Sequence, residues 1–529
     1  MKIKNRWLQL LALLLAFSMV AAACGGGSSD APGDGDAGAD AEADAEEQAI
    51  EDAVTDARDG DEEEPEEEMA APTNMEELEA RWEANRQKIV DKLTEGIESG
   101  EYGLDEATNI VTGPSGIEID LNNCPSNWTN DEGIADTIEI GYSGPESGNL
   151  AAYGNMAVGW NTYIDYVNEN GGIGGTPIEL LTRDDQYVAT VAIEQVDQLL
   201  QADKPFAIHT LGTPSVMATR GTLNEKCVPN PFVNTGHPAW GDPLGHPWTT
   251  GSFLNYLTEA ILWGAWIKEN MADQLPVEVV GIVMENDFGI AYQQGMEDYA
   301  KKNPDVVSKF TAIPFDPAAP TLTNEMTTAA ALKADVAIGM MAGNPCLQMI
   351  EEAGRNGMQS SGMVLFISQT CKDPNSFMIP AGSSSDGWYI VGGGQKVNTD
   401  PQYADDVYVQ FANQLITDAG HDPKIGLIFT GMFFIWGTVE ALRIAEALPD
   451  GLTRTNFMLA LRSLDLEHPQ LVKGVKFRVD GTNDAYLVEG SDFSQWDSEG
   501  ETWKQLGGLV DIDGLSGTCT WKTDGSGCG

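Results

Sequence analysis

Several side chains in this sequence have the types and spacing of a small-molecule binding site. Residues 147–185 read SGNLAAYGNMAVGWNTYIDYVNENGGIGGTPIELLTRDD and place an aromatic residue, Tyr153, at the mouth of a predicted helix, directly after a predicted strand. Open α/β sheets bind their ligands in the crevice at the carboxyl ends of the strands. Tyr153 is therefore either a residue that covers a ligand or a residue that packs in the core.

A second candidate lies in the segment LGTPSVMATRG, which begins at Leu211. Thr213 suits the N-cap of a helix, and Pro214 suits its first position. The free N–H groups and the positive dipole end of such a helix favour a carboxylate or another polar acceptor. Thr213 and Ser215 are therefore candidate ligand contacts, although every helix needs a cap and this is also their structural interpretation.

The sequence lacks the common catalytic motifs. It contains no G-x-S-x-G elbow, no phosphate-binding loop of the Walker type and no H-E-x-x-H, and the loop after the first predicted strand lacks G-x-G-x-x-G. A hydrolase that combines Ser147 with a distant histidine is the remaining enzymatic alternative. The sequence predicts a protein that is not an enzyme and that carries no cofactor.

The charge of the chain excludes some partners. The formal net charge is -53, from 82 acidic and 29 basic residues. Such a surface disfavours nucleic-acid backbones and anionic lipid as partners, and it favours solubility. It carries no information about the fold.

The cysteines indicate disulfides rather than a metal site. Six cysteines follow Cys24, no C-x-x-C spacing occurs, and only five histidines are scattered along the chain. A zinc, redox or histidine-rich metal site is therefore not expected. Six cysteines allow fifteen pairings. The predicted edges of two parallel strands favour Cys346 with Cys371, and the glycine-rich tail favours Cys519 with Cys528, which leaves Cys124 with Cys227.

The first residues have the features of an export signal. A basic start precedes the apolar stretch WLQLLALLLAFSMV and then AAAC, which ends at Cys24. The small residues before this cysteine resemble the bacterial lipobox, with Ala21 where leucine is usual. The resemblance implies that Cys24 carries lipid. An ordinary cleaved signal with an incidental cysteine is the alternative.

The segment after Cys24 is strongly acidic up to residue 74, and Arg58 is its only basic residue. A composition of this kind predicts an extended, disordered stalk. The next segment, MEELEARWEANRQKIVDKLTEGIESG, has helical spacing. This helix either packs on the main body or stands apart as a spacer.

From about Asp136 onward, short apolar strands alternate with helices of roughly a dozen residues, which is the pattern of doubly wound parallel sheets. The alternation restarts after a break near Gly251, and two late helices lack strands of their own. The predicted fold is therefore α/β, with two doubly wound parallel-sheet lobes joined by hinge strands around a ligand cleft. Hinges are expected near Thr250–Phe253, near Trp388–Gly393 and after about Val479.

The predicted organisation divides the chain into six parts. They are a signal peptide (1–23), a lipid-anchored acidic linker (24–74), an N-terminal extension with a helix (75–134), lobe 1 (135–252 and 390–480), lobe 2 (253–389 and 481–510) and a Cys/Gly-rich tail (511–529).

Residues 137–186 resemble the opening of the branched-chain amino-acid type of substrate-binding protein, the extracytoplasmic receptor of an ABC importer with the type I periplasmic binding fold. The matching motifs are Ser147-Gly148, Ala151-Ala152-Tyr153-Gly154, an Asn near the end of the helix, Gly171-Gly172 with Gly174-Gly175, and Asp184-Asp185. A weaker similarity continues to about Asp497. The resemblance implies binding of a small solute by hinge closure and its delivery to an ABC permease.

The resemblance also implies particular ligand contacts. It places a hydroxyl residue at the helix that begins near Thr213, a loop contact near His237, and a closing aromatic at Phe288. His237 is equally well a structural residue of its loop. The predicted contacts are Ser147, Tyr153, Thr213, Ser215, His237, Phe288 and Gln369.

One of these positions departs from the family pattern. Gln369 stands where amino-acid receptors often carry an acid for the ammonium group, so Glu285 or Asp287 would have to supply that charge. If no acid does, a standard α-amino acid is disfavoured, and amides, urea-like compounds, carboxylic acids and aromatic acids become the candidate solutes. The predicted protein is a monomer held at the outer face of the cytoplasmic membrane by Cys24, with a solute and a permease as partners. A ligand sensor that acts through a partner protein is the alternative.

Overall fold

The computed structural model describes residues 36–59, 72–522 and 527–528. The predicted signal peptide and Cys24 lie outside the described residues. The helices are α1 (Asp36–Asp59), α2 (Met75–Ser99), α3 (Asn155–Glu169), α4 (Ala189–Gln198), α5 (Thr213–Glu225), α6 (Tyr256–Asn270), α7 (Asp287–Lys302), α8 (Thr323–Leu332), α9 (Asn344–Arg355), α10 (Val407–Asp418), α11 (Gly426–Ala447) and α12 (Arg454–Leu461).

The strands fall into two principal sheets and two small ones. In chain order they are β1 (Gly103–Asp105), β2 (Ile110–Thr112), β3 (Glu118–Asp120), β4 (Ile138–Gly144), β5 (Ile178–Asp184), β6 (Ala207–Thr210), β7 (Asn230–Val233), β8 (Thr249–Gly251), β9 (Val277–Met284), β10 (Val307–Phe315), β11 (Val336–Met340), β12 (Val364–Ile367), β13 (Tyr389–Val391), β14 (Asp465–Leu466), β15 (Phe477–Arg478), β16 (Phe493–Asp497) and β17 (Thr502–Gln505).

The sheet of lobe 1 is parallel. Its strands lie in the order β5-β4-β6, followed by β7-β8, and the backbone bond from Ile208 N to Pro229 O joins β6 to β7 at 2.9 Å. Helices α3 and α11 cross each other closely on this lobe. A Cβ atom at Gly159 would lie 1.9 Å from the carbonyl oxygen of Ile428, and one at Gly431 would lie 2.2 Å from that of Met156. Only glycine permits this approach of the two backbones.

Lobe 2 has a seven-stranded sheet in the order β10-β9-β11-β12-β13-β16-β17. The first five strands are parallel, and β16 and β17 are added antiparallel at one edge. The prediction of two doubly wound lobes is therefore confirmed, with an antiparallel edge that the sequence pattern did not reveal. Helices α10 and α11, which lack strands of their own, belong to lobe 1, where α11 packs on α3.

The chain crosses between the lobes three times, after β8, after β13 and after β15. Asp492 joins the second and third crossings, because its backbone oxygen accepts from Gly392 N at 2.8 Å and its side chain accepts from Gly394 N at 3.1 Å. The ammonium group of Lys372 donates to the carbonyl oxygens of Gly392 and Gln395 at 2.9 and 2.6 Å. Two of the three hinge segments are thus hydrogen-bonded to each other.

The prediction of a disordered stalk is wrong for residues 36–59, which form α1. Ile50 and Val54 lie one turn apart and are buried. The carboxylate of Glu51 lies 2.6 Å from the ammonium group of Lys268 and accepts a 2.8 Å hydrogen bond from Tyr299. The composition argument failed because the acidic side chains find cations and donors on lobe 2.

Helix α2 packs on lobe 1 and is not a free spacer. The ring of Trp82 is buried, with its centroid 5.3 Å from that of Trp436 and 6.0 Å from that of Tyr408. Arg86 forms a 2.6 Å ion pair with Glu440, a fully buried acid of α11. This buried contact decides between the two alternatives that the sequence left open.

Helix α11 is the one described helix that is long and apolar enough to cross a membrane. Nearly all of its side chains are buried inside the protein, between α3, α2 and the core of lobe 1. It is therefore a core helix.

The three disulfides pair as predicted. Cys124 is bonded to Cys227, Cys346 to Cys371, and Cys519 to Cys528. The second bridge joins the segments that follow the adjacent parallel strands β11 and β12, which is the geometry on which its prediction was based.

Replacing Trp82 by alanine tests whether α2 is part of the folded body. We expect the free energy of unfolding to fall by about 3–5 kcal/mol, as for other buried tryptophans, because the substitution leaves a cavity between α2 and α11. Urea unfolding monitored by circular dichroism measures this change. The matched control is Glu83→Ala, an exposed neighbour on α2. Equal stability of both variants would mean that α2 does not depend on this contact.

Candidate functional site

A cavity lies between the lobes, at the carboxyl ends of strands from both sheets. Its volume is about 80 Å³, room for several water molecules. Its walls combine aromatic and aliphatic side chains with a few polar groups. The lining residues are Leu150, Tyr153, Met156, Tyr187, Leu211, Gly212, Asn234, Thr235, Phe253, Tyr256, Phe288, Ala342, Gln369, Thr370, Lys372, Asp373, Gln395, Leu427 and Thr430.

Tyr153 connects the two lobes across this cavity. It lies in the short 3₁₀ turn that leads into α3. Its hydroxyl group donates to the carbonyl oxygen of Thr370 at 3.1 Å and accepts from the N–H of Gly343 at 3.4 Å. Burial raises the pKa of Tyr153, so the phenol stays neutral and keeps the proton that it donates. Both partners belong to lobe 2, so these bonds exist only while the lobes are together.

Aromatic rings from both lobes form much of the wall. Tyr256 is stacked on Tyr292 with centroids 4.2 Å apart, and it meets the ring of Phe288 edge-on at 5.1 Å. Tyr187 has a left-handed backbone with φ of 61°. Its ring lies against Gly212, where a Cβ atom would be 2.1 Å from the ring. Gly212 itself has φ of 90°, so both the fold of the backbone and the close ring favour glycine there.

The amino-terminal turn of α5 lies directly behind this wall. The hydroxyl groups of Thr213 and Thr235 are 2.6 Å apart, and that of Thr235 is 3.2 Å from the hydroxyl of Tyr256. Thr213 and Ser215 are fully buried and do not line the cavity, whereas Thr235 does. The polar end of α5 therefore reaches the cavity through Gly212 and Thr235.

Gln369 enters the cavity from lobe 2, and a buried acid holds it in place. Glu259 of α6 accepts from the backbone N–H of Gln369 at 2.9 Å and from its side-chain amide at 2.8 Å. The same amide nitrogen donates to Leu254 O at 3.1 Å. Tyr292 also donates to Glu259, at 2.5 Å. Both amide hydrogens of Gln369 are thereby used, so its side chain can offer the cavity only a hydrogen-bond acceptor.

The two charged side chains that line the cavity, Lys372 and Asp373, both have partners inside the protein. The ammonium group of Lys372 is bonded to the hinge segments and to Asp492. Asp373 caps the following turn by accepting from Ser376 N at 2.7 Å, and burial raises the pKa of its carboxyl group. Among the lining residues, no cation is therefore left without an internal partner.

The cavity brings together three of the predicted contacts, namely Tyr153, Phe288 and Gln369. Ser147 lies outside it, exposed, and its hydroxyl donates to Asp184 at 2.6 Å. His237 is buried elsewhere, packed against Trp521, and burial lowers its pKa to about 3. The Ser147 hydrolase has no geometric basis here, because the described partners of its hydroxyl include no histidine.

The acids considered for an ammonium group also lie outside the cavity. Glu285 and Asp287 are exposed. The buried acid beside Gln369 is Glu259. The sequence did not identify it, because it lies within an apolar helix and does not directly follow a strand in the sequence. Tyr256 on the same helix was missed for the same reason. Tyr187 could have been found, since it follows Asp184-Asp185 in the loop at the carboxyl end of β5.

A family model described as periplasmic binding protein matches residues 137–501, which is more than half of the chain. No curated protein sequence matches the chain.

Solved structures share the fold at low sequence identity. A fatty acid ABC transporter substrate-binding protein from Thermomonospora curvata is 18% identical, with a TM-score of 0.60, over 73% of this chain and 95% of the other. A branched chain amino acid ABC transporter from Thermus thermophilus with bound valine is 14% identical, with a TM-score of 0.61, over 70% and 96%. A solute binding protein from Rhodopseudomonas palustris BisB5, in complex with 3,4-dihydroxy benzoic acid, is 16% identical, with a TM-score of 0.59, over 72% and 98%.

The matched span contains the sheet of lobe 1, the sheet of lobe 2 except β17, all three crossings and every residue that lines the cavity. Proteins of this kind bind solutes and are not enzymes. The chain belongs to the periplasmic binding protein family.

Proposed function

We propose that this protein captures a small solute in the cavity between its lobes and delivers it to an ABC permease. The observation that carries the proposal is the composition of the cavity, whose walls come from strand ends of both lobes. Tyr153 and Asn149 make hydrogen bonds across the lobes, the latter to Pro317 O at 2.9 Å. A solute that touches both walls would favour the closed arrangement, which is hinge closure driven by binding.

The permease as partner is supported by the neighbouring structures, whose names assign them to ABC transporters. We propose a monomeric binding protein in this role, as the sequence suggested.

The solute that fits best is a small carboxylate with an apolar body. The rings of Tyr153, Tyr187, Phe253, Tyr256 and Phe288 suit a flat or branched apolar group. The first turn of α5 begins behind Gly212, so the positive end of its dipole favours a carboxylate on this side of the cavity. A cavity of about 80 Å³ is below the roughly 300 Å³ of the smallest drug-sized pockets, so a long chain would need wider lobe separation.

The cavity disfavours a solute that carries a free α-ammonium group. Burial raises the pKa of Glu259 to about 8, so the acid behind Gln369 carries a proton at neutral pH. Gln369 itself is uncharged. An ammonium group placed there would lose its hydration without meeting a charged partner. Amides and hydroxyl-bearing acids can still donate a hydrogen bond to the oxygen of Gln369.

We also propose that lipid on Cys24 holds the protein at the outer face of the cytoplasmic membrane. The support is the sequence AAAC after an apolar stretch. In the Cys24→Ala variant we expect release of the protein into the medium or an unprocessed precursor, because the lipid acceptor is missing. Cell fractionation measures this. A variant that remains processed and membrane-bound like the parent would contradict the anchor and leave the solute site untouched.

Substitution of Tyr153 by phenylalanine tests the site. A thermal-shift screen with benzoate, hydroxybenzoates, amides and valine first identifies a solute, because saturation at 100 times Kd adds about 2.7 kcal/mol of stability. Calorimetry should then show that Tyr153→Phe weakens binding by roughly 2- to 12-fold, which corresponds to the loss of about 0.5–1.5 kcal/mol of hydrogen bonding between the lobes.

The control for this measurement is Tyr166→Phe on α3, the helix that follows the turn of Tyr153; the hydroxyl of Tyr166 donates to Glu79 and not to lobe 2. Its affinity should equal that of the parent. If Tyr153→Phe also binds with parental affinity, the solute site lies elsewhere. If no compound in the screen binds, the proposed solute class is wrong.

Glu259 should give the stability of the protein a measurable pH dependence. In the folded state the pKa is raised from 4.5 to about 8, so folding takes up a proton between these pH values. The free energy of unfolding should therefore fall as the pH rises through this window, with a slope of up to about 1.4 kcal/mol per pH unit from this one group. Glu259→Gln cannot titrate and should lose that slope.

Urea unfolding of the parent and of Glu259→Gln between pH 5 and 8.5 measures the difference. The variant should gain stability relative to the parent as the pH increases. A constant difference across the whole range would mean that Glu259 is ionised throughout, and an ammonium-bearing solute would then regain favour.

A further inference from the structure

The carboxyl-terminal residues beyond the family match form an ordered contact with both lobes. The match ends at residue 501. After β17 the chain returns to the third crossing, where Val510 and Ser491 exchange two backbone hydrogen bonds of 2.8 and 3.0 Å. The carboxylate of Glu489 then accepts from Gly514 N at 2.6 Å and from Ser516 N at 3.0 Å. These bonds fix the base of the tail beside the hinge.

The middle of the tail is attached to lobe 2. The hydroxyl group of Ser516 lies 3.3 Å from that of Thr258 on α6. The next residue, Gly517, donates its N–H to Glu46 of α1 at 3.2 Å. Helix α1 is itself held on lobe 2, through the ion pair of Glu51 with Lys268. The tail is thus bound to lobe 2 both directly and through α1.

The next residues of the tail are attached to lobe 1. Cys519 donates its N–H to Gly241 O at 2.7 Å. The ring of Trp521 meets the ring of His237 edge-on, with centroids 4.4 Å apart. It also packs against an apolar cluster of lobe 1 that contains Val233 and Trp240. This contact accounts for the burial of His237, which the sequence alone left between a ligand contact and a loop residue.

A second contact with lobe 2 follows at Gly527. A Cβ atom there would lie 2.8 Å from the amide nitrogen of Gln294 on α7. The disulfide between Cys519 and Cys528 links this contact covalently to the contact with lobe 1.

The two elements that hold the tail, namely the segment 237–241 of lobe 1 and helix α7 of lobe 2, are also next to the ligand cavity. His237 follows Asn234 and Thr235, which line the cavity from lobe 1, and α7 carries Phe288, which lines it from lobe 2. When the lobes separate, residues 237–241 move relative to α6 and α7. The tail must then give up its bonds to one lobe.

We propose that residues 516–522 with Gly527 and Cys528 are a clasp that stabilises the closed arrangement of the lobes and sets the fraction of solute-free protein that is open. The clasp acts on the equilibrium between open and closed forms without touching the solute. Because a competent open form must be populated for entry, the clasp also tunes apparent affinity.

The clasp can be tested on the full-length chain without a solute. Spin labels introduced through non-natural side chains at Glu194 of lobe 1 and Thr328 of lobe 2, both exposed, report the distance between the lobes by double electron–electron resonance. In the variant Trp521→Ala we expect the ratio of open to closed protein to rise by roughly 2- to 12-fold, the range set by loss of an aromatic pair.

The double variant Cys519→Ser, Cys528→Ser provides a second, independent disruption and should shift the distance distribution in the same direction. The control is Leu515→Ala, which lies just outside the clasp and whose side chain is exposed. Circular dichroism verifies that each variant is folded. If both disrupted variants keep the parental distribution of inter-lobe distances, the tail moves with one lobe and does not hold the two lobes together, and the clasp does not exist.

Discussion

The hydroxyl group of Tyr153 is the point on which the closed cavity depends, because it bonds to two backbone groups of the opposite lobe. Gly343 N and Thr370 O belong to loops that follow β11 and β12, and both would lose this partner if the lobes separated. A buried polar group without a partner costs free energy. The hydroxyl therefore gives the closed arrangement a stability that an apolar ring of the same size would not supply.

This requirement explains the construction around it. The Ala151–Gly154 turn places Tyr153 at the end of β4, and Gly343, with φ of 71°, turns its N–H toward the hydroxyl. The disulfide between Cys346 and Cys371 joins the two partner loops to each other. Behind them, Glu259 fixes Gln369 by accepting two hydrogen bonds from it, and it accepts a third from Tyr292. The side chain of Gln369 is thus held by an acid that does not line the cavity, which preorganises this polar group.

The sequence predicted those features of the fold and the cavity that depend on local sequence pattern. The alternation of strands and helices predicted both lobes, and the position of Tyr153 after β4 predicted its place at the cavity, because strand ends are local features. The pairing of Cys346 with Cys371 followed from the same logic. Tyr256 and Glu259 could not be predicted in this way, since the apolar helix α6 gives no sign of which face meets the cleft. The alignment with the family near residue 237 was good only to a residue or two. It could not separate Thr235, which lines the cavity, from His237, which does not.

Composition misled where long-range contacts override it. The acidic segment 36–59 lacks the apolar content of an independent helix, yet α1 folds because lobe 2 presents Lys268, Lys302 and Tyr299 to its carboxylates. A net charge of -53 would ordinarily oppose such packing, because acids repel one another. The few cations are placed where α1 docks. Helix α1 and the tail both lie outside residues 137–501 and both contact lobe 2, α1 through Lys268 and the tail through Thr258. The cavity therefore lies within the span that the family model matches, whereas helix α1 and the proposed clasp lie outside it.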